Sequence, residues 1–183
     1  MSTCLPVGRE KKMKNKNYSS KIIKILSQKP ATSVNEIHEG FEDENKYSVT
    51  RSLKGLEEAG LIENLPSAHN LYTRLTKEGK KKVYSLELEN NTGLVPQTWD
   101  GFWRIILLDL PESRKSERES LRYLLKKANF VCLKNSAWIS PYPYEHLFMN
   151  IKKDLDLTSE MIIFTTNNID EISQKIFFDS FKK

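Results

Sequence analysis

Hydrophobic positions in the first part of the chain follow helical spacing in three successive segments. Tyr18–Gln28 carries an apolar stripe that ends before Pro30, and a short second helix follows. Ser33 is the predicted N-cap of that second helix, and Glu36 lies three residues on, as in a capping box. The third predicted helix is Lys46–Ala59, in which the apolar positions i, i+4 and i+7 are Val49, Leu53 and Leu56.

The region after the third helix predicts a hairpin and a fourth helix. Gly60 lies just past the helix end, where glycine commonly terminates a helix. One strand begins at Leu61 and a returning strand covers Leu71–Leu75, with a turn between them. Thr76 then caps a helix that extends to about Leu88. Three helices followed by a two-stranded hairpin is the order of a winged helix-turn-helix domain.

Strand and helix patterns alternate in the second part of the chain. The apolar run Trp103–Leu110, ended by Pro111, predicts a buried strand, and an amphipathic helix over Ser113–Lys127 follows. The remaining predicted segments are a strand at Phe130–Leu133, a strand at Ala137–Ser140, a helix with its stripe from Tyr144 to Leu155, and a strand at Met161–Thr165. They complete the order β-α-β-β-α-β, which is that of a ferredoxin-like fold. A last stripe from Ile169 to Phe181 predicts a terminal helix that covers a sheet or subunit surface.

Gly, Pro and paired Asn residues between Glu89 and Thr98 predict a domain boundary. The expected organisation is a flexible basic arm over 1–17, a winged helix-turn-helix domain over 18–88, a linker over 89–98, and a ferredoxin-like dimerisation domain with a terminal helix over 99–183. The predicted fold class is therefore α+β.

Composition narrows the class of protein. The 183 residues are 38% hydrophobic and carry a formal net charge of +5, which is typical of a folded protein with a basic balance. Between Arg9 and Lys24, seven basic residues face one glutamate, so this run is either a solvated tail or an arm on a phosphate backbone. Cys4 and Cys132 give no disulfide framework, and no segment predicts a membrane span or a secretory signal. The expected location is the cytoplasm.

The face of the third helix opposite its apolar side combines basic and hydrogen-bonding side chains. At about 100° per residue, Tyr47, Thr50, Arg51 and Lys54 cluster there. Arg51 can bind guanine in a bidentate manner, and Tyr47 or Thr50 can reach a base edge, a thymine methyl or a phosphate. Lys46 and Lys54 suit phosphates. The alternative is an ordinary solvated helix face.

The predicted hairpin supplies a second candidate contact with DNA. Its polar and aromatic side chains suit the minor groove or the phosphate backbone, and they are His69, Asn70, Tyr72 and Arg74. His38, His69 and His146 are isolated from one another in sequence and show no metal-ligand spacing.

Two strings in the first part resemble a run found in many bacterial regulators. The string Leu56–Ile62 (LEEAGLI) gives the helix end and Gly-Leu-Ile, and Leu75–Gly79 (LTKEG) gives Leu-Thr-x-x-Gly after the wing. The resemblance implies the winged fold. It leaves the ligand open, because some winged domains bind only protein.

The most distinctive strings lie in the second part: Trp99–Arg104 (WDGFWR), Leu108–Glu112 (LDLPE), Arg118, Asn129–Phe130 and Ala137–Tyr142 (AWISPY). They are similar to the PaaX-like family of phenylacetate-degradation repressors, over roughly Tyr18 to Thr166. The resemblance implies a winged helix joined to a ferredoxin-like domain similar to the small CRISPR-associated adaptation nuclease. It further implies DNA binding through the first domain and pairing of two subunits through the second.

One departure from that family limits what the resemblance implies. Members usually continue into a further C-terminal domain, which this sequence is expected to lack, since it reaches only about one helix past the ferredoxin-like unit. The phenylacetyl-coenzyme A effector of the family is therefore not carried over, and the effector stays unknown.

Asp109 is the candidate for catalysis. It follows the first strand of the second domain, where the resemblance to the adaptation nucleases places an aspartate that can share a magnesium ion across a dimer. The favoured interpretation is structural: Asp109 caps the following helix or holds Arg114 or Arg118. The sequence thus favours a homodimeric, sequence-specific DNA-binding repressor with double-stranded DNA as partner and no cofactor. The alternatives are a magnesium-dependent nuclease or CRISPR-adaptation component, and a protein-binding adaptor.

Overall fold

The computed structural model describes residues 18–41, 46–67, 70–90 and 98–181. It contains two antiparallel sheets, one in each half of the chain, so the mixed helix-and-sheet class is confirmed. The first half holds, in chain order, α1 (Tyr18–Leu26), β1 (Thr32–Ser33), α2 (Val34–Glu39), α3 (Lys46–Glu58), β2 (Ile62–Pro66), β3 (Leu71–Leu75) and α4 (Lys77–Asn90). The second half holds β4 (Trp103–Leu108), α5 (Lys115–Lys127), β5 (Val131–Lys134), β6 (Ala137–Ser140), α6 (Glu145–Asp154), β7 (Met161–Thr166) and α7 (Glu171–Phe181).

The N-terminal core forms where the apolar stripes of α1, α2 and α3 meet. The three residues predicted for the inner face of α3 are all buried in it, and the core consists of Ile22, Ile23, Leu26, Ile37, Phe41, Val49, Leu53, Leu56 and Ile62. The small sheet has the order β1-β3-β2. The order of helices and hairpin predicted from sequence is therefore observed, and β1, only two residues long, is an addition that the pattern did not predict.

The predicted capping box at the start of α2 is half formed. The Ser33 hydroxyl accepts a hydrogen bond from the Glu36 backbone N–H at 3.2 Å. The Glu36 carboxylate, however, pairs with the Lys29 ammonium. A charged donor competes well against a backbone amide for a carboxylate, so the reciprocal half of the box is replaced by an ion pair.

The two strings that resemble bacterial regulators meet in space. Gly60 ends α3 with a φ of 68°, and the Leu61 N–H reaches back to the Leu56 carbonyl at 3.0 Å. The Thr76 hydroxyl donates to the Gly60 carbonyl at 2.6 Å and accepts from the Gly79 N–H at 3.1 Å, which makes it the predicted cap of α4. The turn after α3 and the first turn of α4 are thus joined by side-chain and backbone hydrogen bonds.

The C-terminal core lies between the second sheet and the helices α5 and α6. The strand order is β5-β6-β4-β7 with every neighbour antiparallel, and the elements follow the predicted order β-α-β-β-α-β. Strand β4 ends at Leu108 rather than at the predicted Leu110, because Pro111 offers no N–H and the chain turns toward a 3-10 turn at Glu112–Arg114. Helix α7 covers part of the opposite face of the sheet, where Phe177 is buried with Trp103.

Helix α4 belongs to both cores. Val83 and Leu86 pack on the N-terminal core, whereas Tyr84 is buried in the C-terminal core. The helix continues to Asn90, two residues into the predicted linker, and residues 91–97 lie outside the described ranges. In the described part of the chain, no helix is long and apolar enough to cross a membrane.

Candidate nucleic-acid interface

The predicted groove-facing side chains lie together on the outer face of α3. Lys46, Tyr47, Thr50, Arg51 and Lys54 are all exposed, and the exposed fraction of Tyr47 reaches 73%. This face is a consequence of helix geometry, because burying Val49, Leu53 and Leu56 turns the positions between them toward solvent. The structure therefore brings together every residue that the sequence predicted for this helix.

Two of these side chains have defined partners. The Thr50 hydroxyl donates to the Lys46 carbonyl at 3.0 Å and lies 3.4 Å from Nε2 of His38, a residue of α2. Lys54 lies 3.8 Å from the Glu58 carboxylate with both side chains exposed, a pair that contributes little to stability. Arg51 forms no ion pair within the described ranges. Its guanidinium is thus available on the surface for an anion or a base edge.

The hairpin β2–β3 carries the second set of predicted DNA-contacting residues, and the structure brings only some of them together. Tyr72 and Arg74 share the solvent face of β3, since the residue between them, Thr73, is buried. Arg74 donates to the Glu63 carboxylate across the register pair at 2.6 Å, so its charge is already matched within the hairpin. Asn70 is exposed at the turn, where its carbonyl accepts from the Ser67 N–H at 2.9 Å. The remaining predicted residue, His69, lies outside the described residues.

The string Trp99–Arg104 has a structural explanation. Arg104 is buried on β4, and its guanidinium forms a two-pronged contact with Asp100, with both N–O distances 2.6 Å. Its Nε donates to the Glu145 carboxylate at the start of α6, at 2.8 Å. The hydrogen bond from Arg104 lowers the pKa of Asp100 to about 2. Burial is the largest single influence on the pKa of Glu145 and acts to raise it, but the hydrogen bond and charge of Arg104, with the backbone hydrogen bond at Glu145, together lower the pKa.

This ion-pair cluster was missed at the level of sequence. Through Arg104, it ties the segment before β4 to the first turn of α6, where Glu145 lies 41 residues after Arg104 in sequence. A charged residue inside an apolar strand is the only signal that sequence offers for it.

Asp109 does not play the structural role that the sequence favoured. The 3-10 turn that follows has Pro111 as its N-cap, with no side-chain cap. Arg114 pairs instead with Glu117 and Glu160, and Arg118 pairs with Glu112. Asp109 is exposed and its backbone N–H donates to the Glu160 carbonyl at 2.8 Å, whereas its carboxylate has no hydrogen-bond or ion-pair partner among the described residues. Within the described residues, no group of three or more His, Cys, Asp or Glu side chains could hold a metal ion.

The second sheet leaves an apolar area uncovered beside α7. Ile162 and Phe164 on the edge strand β7 are 51% and 43% exposed. They lie opposite Leu107 and Ile105 of β4, on the face turned away from α5 and α6. We call this surface, formed by Ile105, Leu107, Ile162 and Phe164, the open sheet face. It carries no charged side chain.

Comparison with known proteins bears on the second half of the chain. Residues 96–176 match the family model of the PaaX protein central Cas2-like domain. No curated protein matches the chain. The matched range contains the Trp99–Arg104 string, the whole four-stranded sheet and its two covering helices. Residues 96–176 are therefore similar to the central Cas2-like domain of the PaaX protein.

Proposed function

We propose that this protein is a sequence-specific, DNA-binding transcriptional regulator that acts as a homodimeric repressor. Its first half is a winged helix-turn-helix domain, with α3 as the helix that enters the major groove and β2–β3 as the wing. Its second half is a ferredoxin-like domain that pairs two subunits. The PaaX-like central domain supports the regulator class.

One observation carries the DNA-binding part of the proposal. The outer face of α3 presents Tyr47, Thr50, Arg51 and Lys54 as an unbroken exposed surface, backed by a fully buried inner face. An α-helix fits the major groove of B-form DNA, where an arginine can read guanine. Flanking lysines neutralise phosphates and make binding depend on salt.

The test of DNA binding begins with selection of bound sites from random duplex DNA by the full chain. Affinity for the selected duplex and for a scrambled duplex is then measured by fluorescence anisotropy at several salt concentrations. Arg51→Ala is expected to weaken binding to the selected site by about 1–3 kcal/mol and to change binding to the scrambled duplex far less. The matched control is Arg122→Ala on α5, which should change neither affinity.

Lys54 separates a phosphate contact from a base contact in the same assay. Lys54→Ala should weaken binding to both duplexes alike and reduce the salt slope by about 1. Equal losses for Arg51→Ala on both duplexes would show that Arg51 also binds only phosphate. Absence of salt-dependent binding by the unaltered protein would remove the proposal and favour a protein-binding adaptor.

The open sheet face supports the proposed pairing of subunits. Its side chains are apolar and uncharged, so a two-fold axis can bring two copies together without placing like charges in contact. Helix α7 also has exposed apolar side chains, namely Ile172, Ile176 and Phe178. An exposed apolar surface such as the open sheet face is typical of protein interfaces. Two α3 helices related by such an axis would favour a roughly palindromic site.

Phe164→Glu tests the pairing surface. The substitution places a charge in the centre of the open sheet face, and we expect a dimer-to-monomer change in native mass together with weaker binding to the selected duplex. Met149→Glu is the matched control, because Met149 is at least as exposed as Phe164 but lies on α6, on the helix-covered side. A Phe164→Glu protein with unchanged mass would show that the subunits pair elsewhere or not at all.

The exposed Asp109 carboxylate offers a direct check on the enzymatic alternative. The same protein preparation is incubated with DNA and RNA in the presence and absence of magnesium. Cleavage that requires magnesium and disappears in Asp109→Ala would replace the regulator proposal with a nuclease.

A further inference from the structure

The contact between α2 and the outer face of α3 involves His38 and Thr50. Nε2 of His38 lies 3.4 Å from Oγ1 of Thr50, and the same Oγ1 donates its proton to the Lys46 carbonyl at 3.0 Å. His38 is half-buried, whereas Thr50 is exposed among the groove-facing side chains. A side chain of the supporting helix thus touches the middle of the proposed reading surface.

The position of the imidazole proton follows from the partners of Thr50. A threonine hydroxyl has one proton, and that proton is directed at the Lys46 carbonyl. His38 must then donate from Nε2, which leaves Nδ1 without a proton. Nδ1 is buried and has no hydrogen-bond partner within the described part of the chain. A proton on Nδ1 would be a buried donor without an acceptor, so the tautomer with its proton on Nε2 is the one that fits the site.

The Thr50 hydroxyl therefore uses its proton and one of its two lone pairs inside the protein. It donates to Lys46 and accepts from His38, and a threonine in a helix otherwise divides between two χ1 rotamers. The His38 contact selects one of them before any partner arrives. Since the hydroxyl proton is already directed at Lys46, Thr50 can offer a base only the second lone pair of its hydroxyl oxygen and its methyl group.

We propose that His38 is a positioning residue that fixes Thr50 so that its methyl group contacts the methyl group of a thymine in the major groove. This inference rests on the proposed DNA-binding function and makes it more specific. Thymine is the base that presents a methyl in the major groove, and an apolar side chain is its usual partner. His38 thereby contributes to base preference without touching DNA.

The test compares the selected duplex with duplexes in which each thymine is replaced, one at a time, by deoxyuridine. This replacement removes only the thymine methyl and leaves every hydrogen-bonding group in place. The unaltered protein should prefer thymine at one position by about fourfold, which corresponds to the burial of one methyl group. Thr50→Ser, which keeps the hydroxyl and removes the methyl, should abolish that preference.

Variants of His38 separate positioning from general stability. His38→Leu should lose most of the thymine preference, whereas His38→Gln should keep it, because the glutamine amide can still donate to Thr50. Thr50→Val should also keep it, since valine has one strongly preferred rotamer in a helix and needs no help from His38. In the Thr50→Val protein, adding His38→Leu should have no further effect on the preference. His146→Leu, on an exposed histidine of α6, is the control.

The outcomes distinguish this inference from the function on which it rests. Equal discrimination between thymine and deoxyuridine by the unaltered protein and by His38→Leu would overturn the inference while DNA binding stands. Failure of the unaltered protein to bind any selected duplex would overturn both. Should His38→Leu fail to fold, the comparison of Thr50→Ser with Thr50→Val decides. An equal thymine preference in these two variants overturns the inference. Loss of the thymine preference in Thr50→Ser but not in Thr50→Val supports it.

Discussion

A side-chain carbon on Gly79 would lie 2.0 Å from the carbonyl oxygen of Leu61, far inside van der Waals contact. The first turn of α4 approaches the end of the α3–β2 turn so closely that only a residue without a side chain fits. This close approach explains the glycine of the Leu-Thr-x-x-Gly string. It also explains why the string is informative about the fold. Thr76 donates to the Gly60 carbonyl and Gly79 packs against the Leu61 carbonyl, so both residues of this turn hold α4 against the end of α3.

Gly79→Ala is therefore expected to destabilise the protein by about 3 kcal/mol, the upper end of the cost of overpacking, because the obstructing atom is backbone and cannot rotate away. Gly55→Ala is the matched control. It lies within α3 with nothing within 4 Å of an added Cβ, so it should stabilise the helix by about 0.5–1 kcal/mol. Urea unfolding of both variants, followed by circular dichroism, measures the difference. A Gly79→Ala protein as stable as the parent would show that α4 can move away from Leu61.

Substitution of Arg104 should be among the most destabilising changes in the second half. Arg104→Met removes the cation that two carboxylates face and takes one hydrogen-bond donor away from the carbonyls of Phe102 and Pro141. We expect a loss of about 3 kcal/mol, the lower part of the range for a broken buried pair, because the Asp100 carboxylate stays 44% exposed. Lys54→Met, which breaks an exposed pair of the same type, should cost less than about 1 kcal/mol. Comparable urea midpoints for the two variants would contradict the structural role of Arg104.

The ion pair between Arg104 and Asp100 should also make the stability of the protein depend on pH. The hydrogen bond from Arg104 lowers the folded-state pKa of Asp100 to about 2, below the value of about 3.9 in an unfolded chain. A carboxyl with a lowered folded pKa stabilises the protein above its unfolded pKa, and this contribution is lost as the pH falls through the folded pKa. The thermal midpoint should therefore fall between about pH 4 and pH 2, and it should fall less steeply in Arg104→Met. Parallel curves for the two proteins would mean that other carboxyls account for the acid sensitivity.

The sequence predicted local features well and distant pairings poorly. The spacing of Val49, Leu53 and Leu56 fixes which side of α3 is buried, so the exposed face followed from helix geometry alone. The contact between His38 and Thr50 depends on the crossing of two helices, and periodicity does not report a crossing. The partners of Arg104 come from a loop and from another helix, which explains why the cluster went unpredicted. The predicted role of Asp109 was wrong for the same reason, since Glu117 and Glu160 reach Arg114 instead.

The two halves of the chain are joined by contacts between α4 and Asp154 of α6. The buried Tyr84 hydroxyl of α4 donates to Oδ2 of Asp154 at 2.5 Å, and the Lys80 ammonium contacts Oδ1 of the same carboxylate at 3.0 Å. Burial, with the bond to Asp154 in support, raises the pKa of Tyr84. Asp154, at the end of α6, thus receives two bonds from a helix that also packs on the N-terminal core. The two halves should consequently unfold together.

The three tryptophans, Trp99, Trp103 and Trp138, lie in the second half, so their fluorescence follows that half while circular dichroism follows both. In the unaltered protein, the two signals should change at one urea concentration. Asp154→Ala leaves the Tyr84 hydroxyl without its acceptor, at a cost of about 1–3 kcal/mol, and should separate the two transitions. Asp156→Asn, which removes only the exposed pair with Lys77, should leave them coincident. Coincident transitions in Asp154→Ala as well would show that the apolar contacts of α4 suffice to join the halves, and that the polar bonds to Asp154 add only stability.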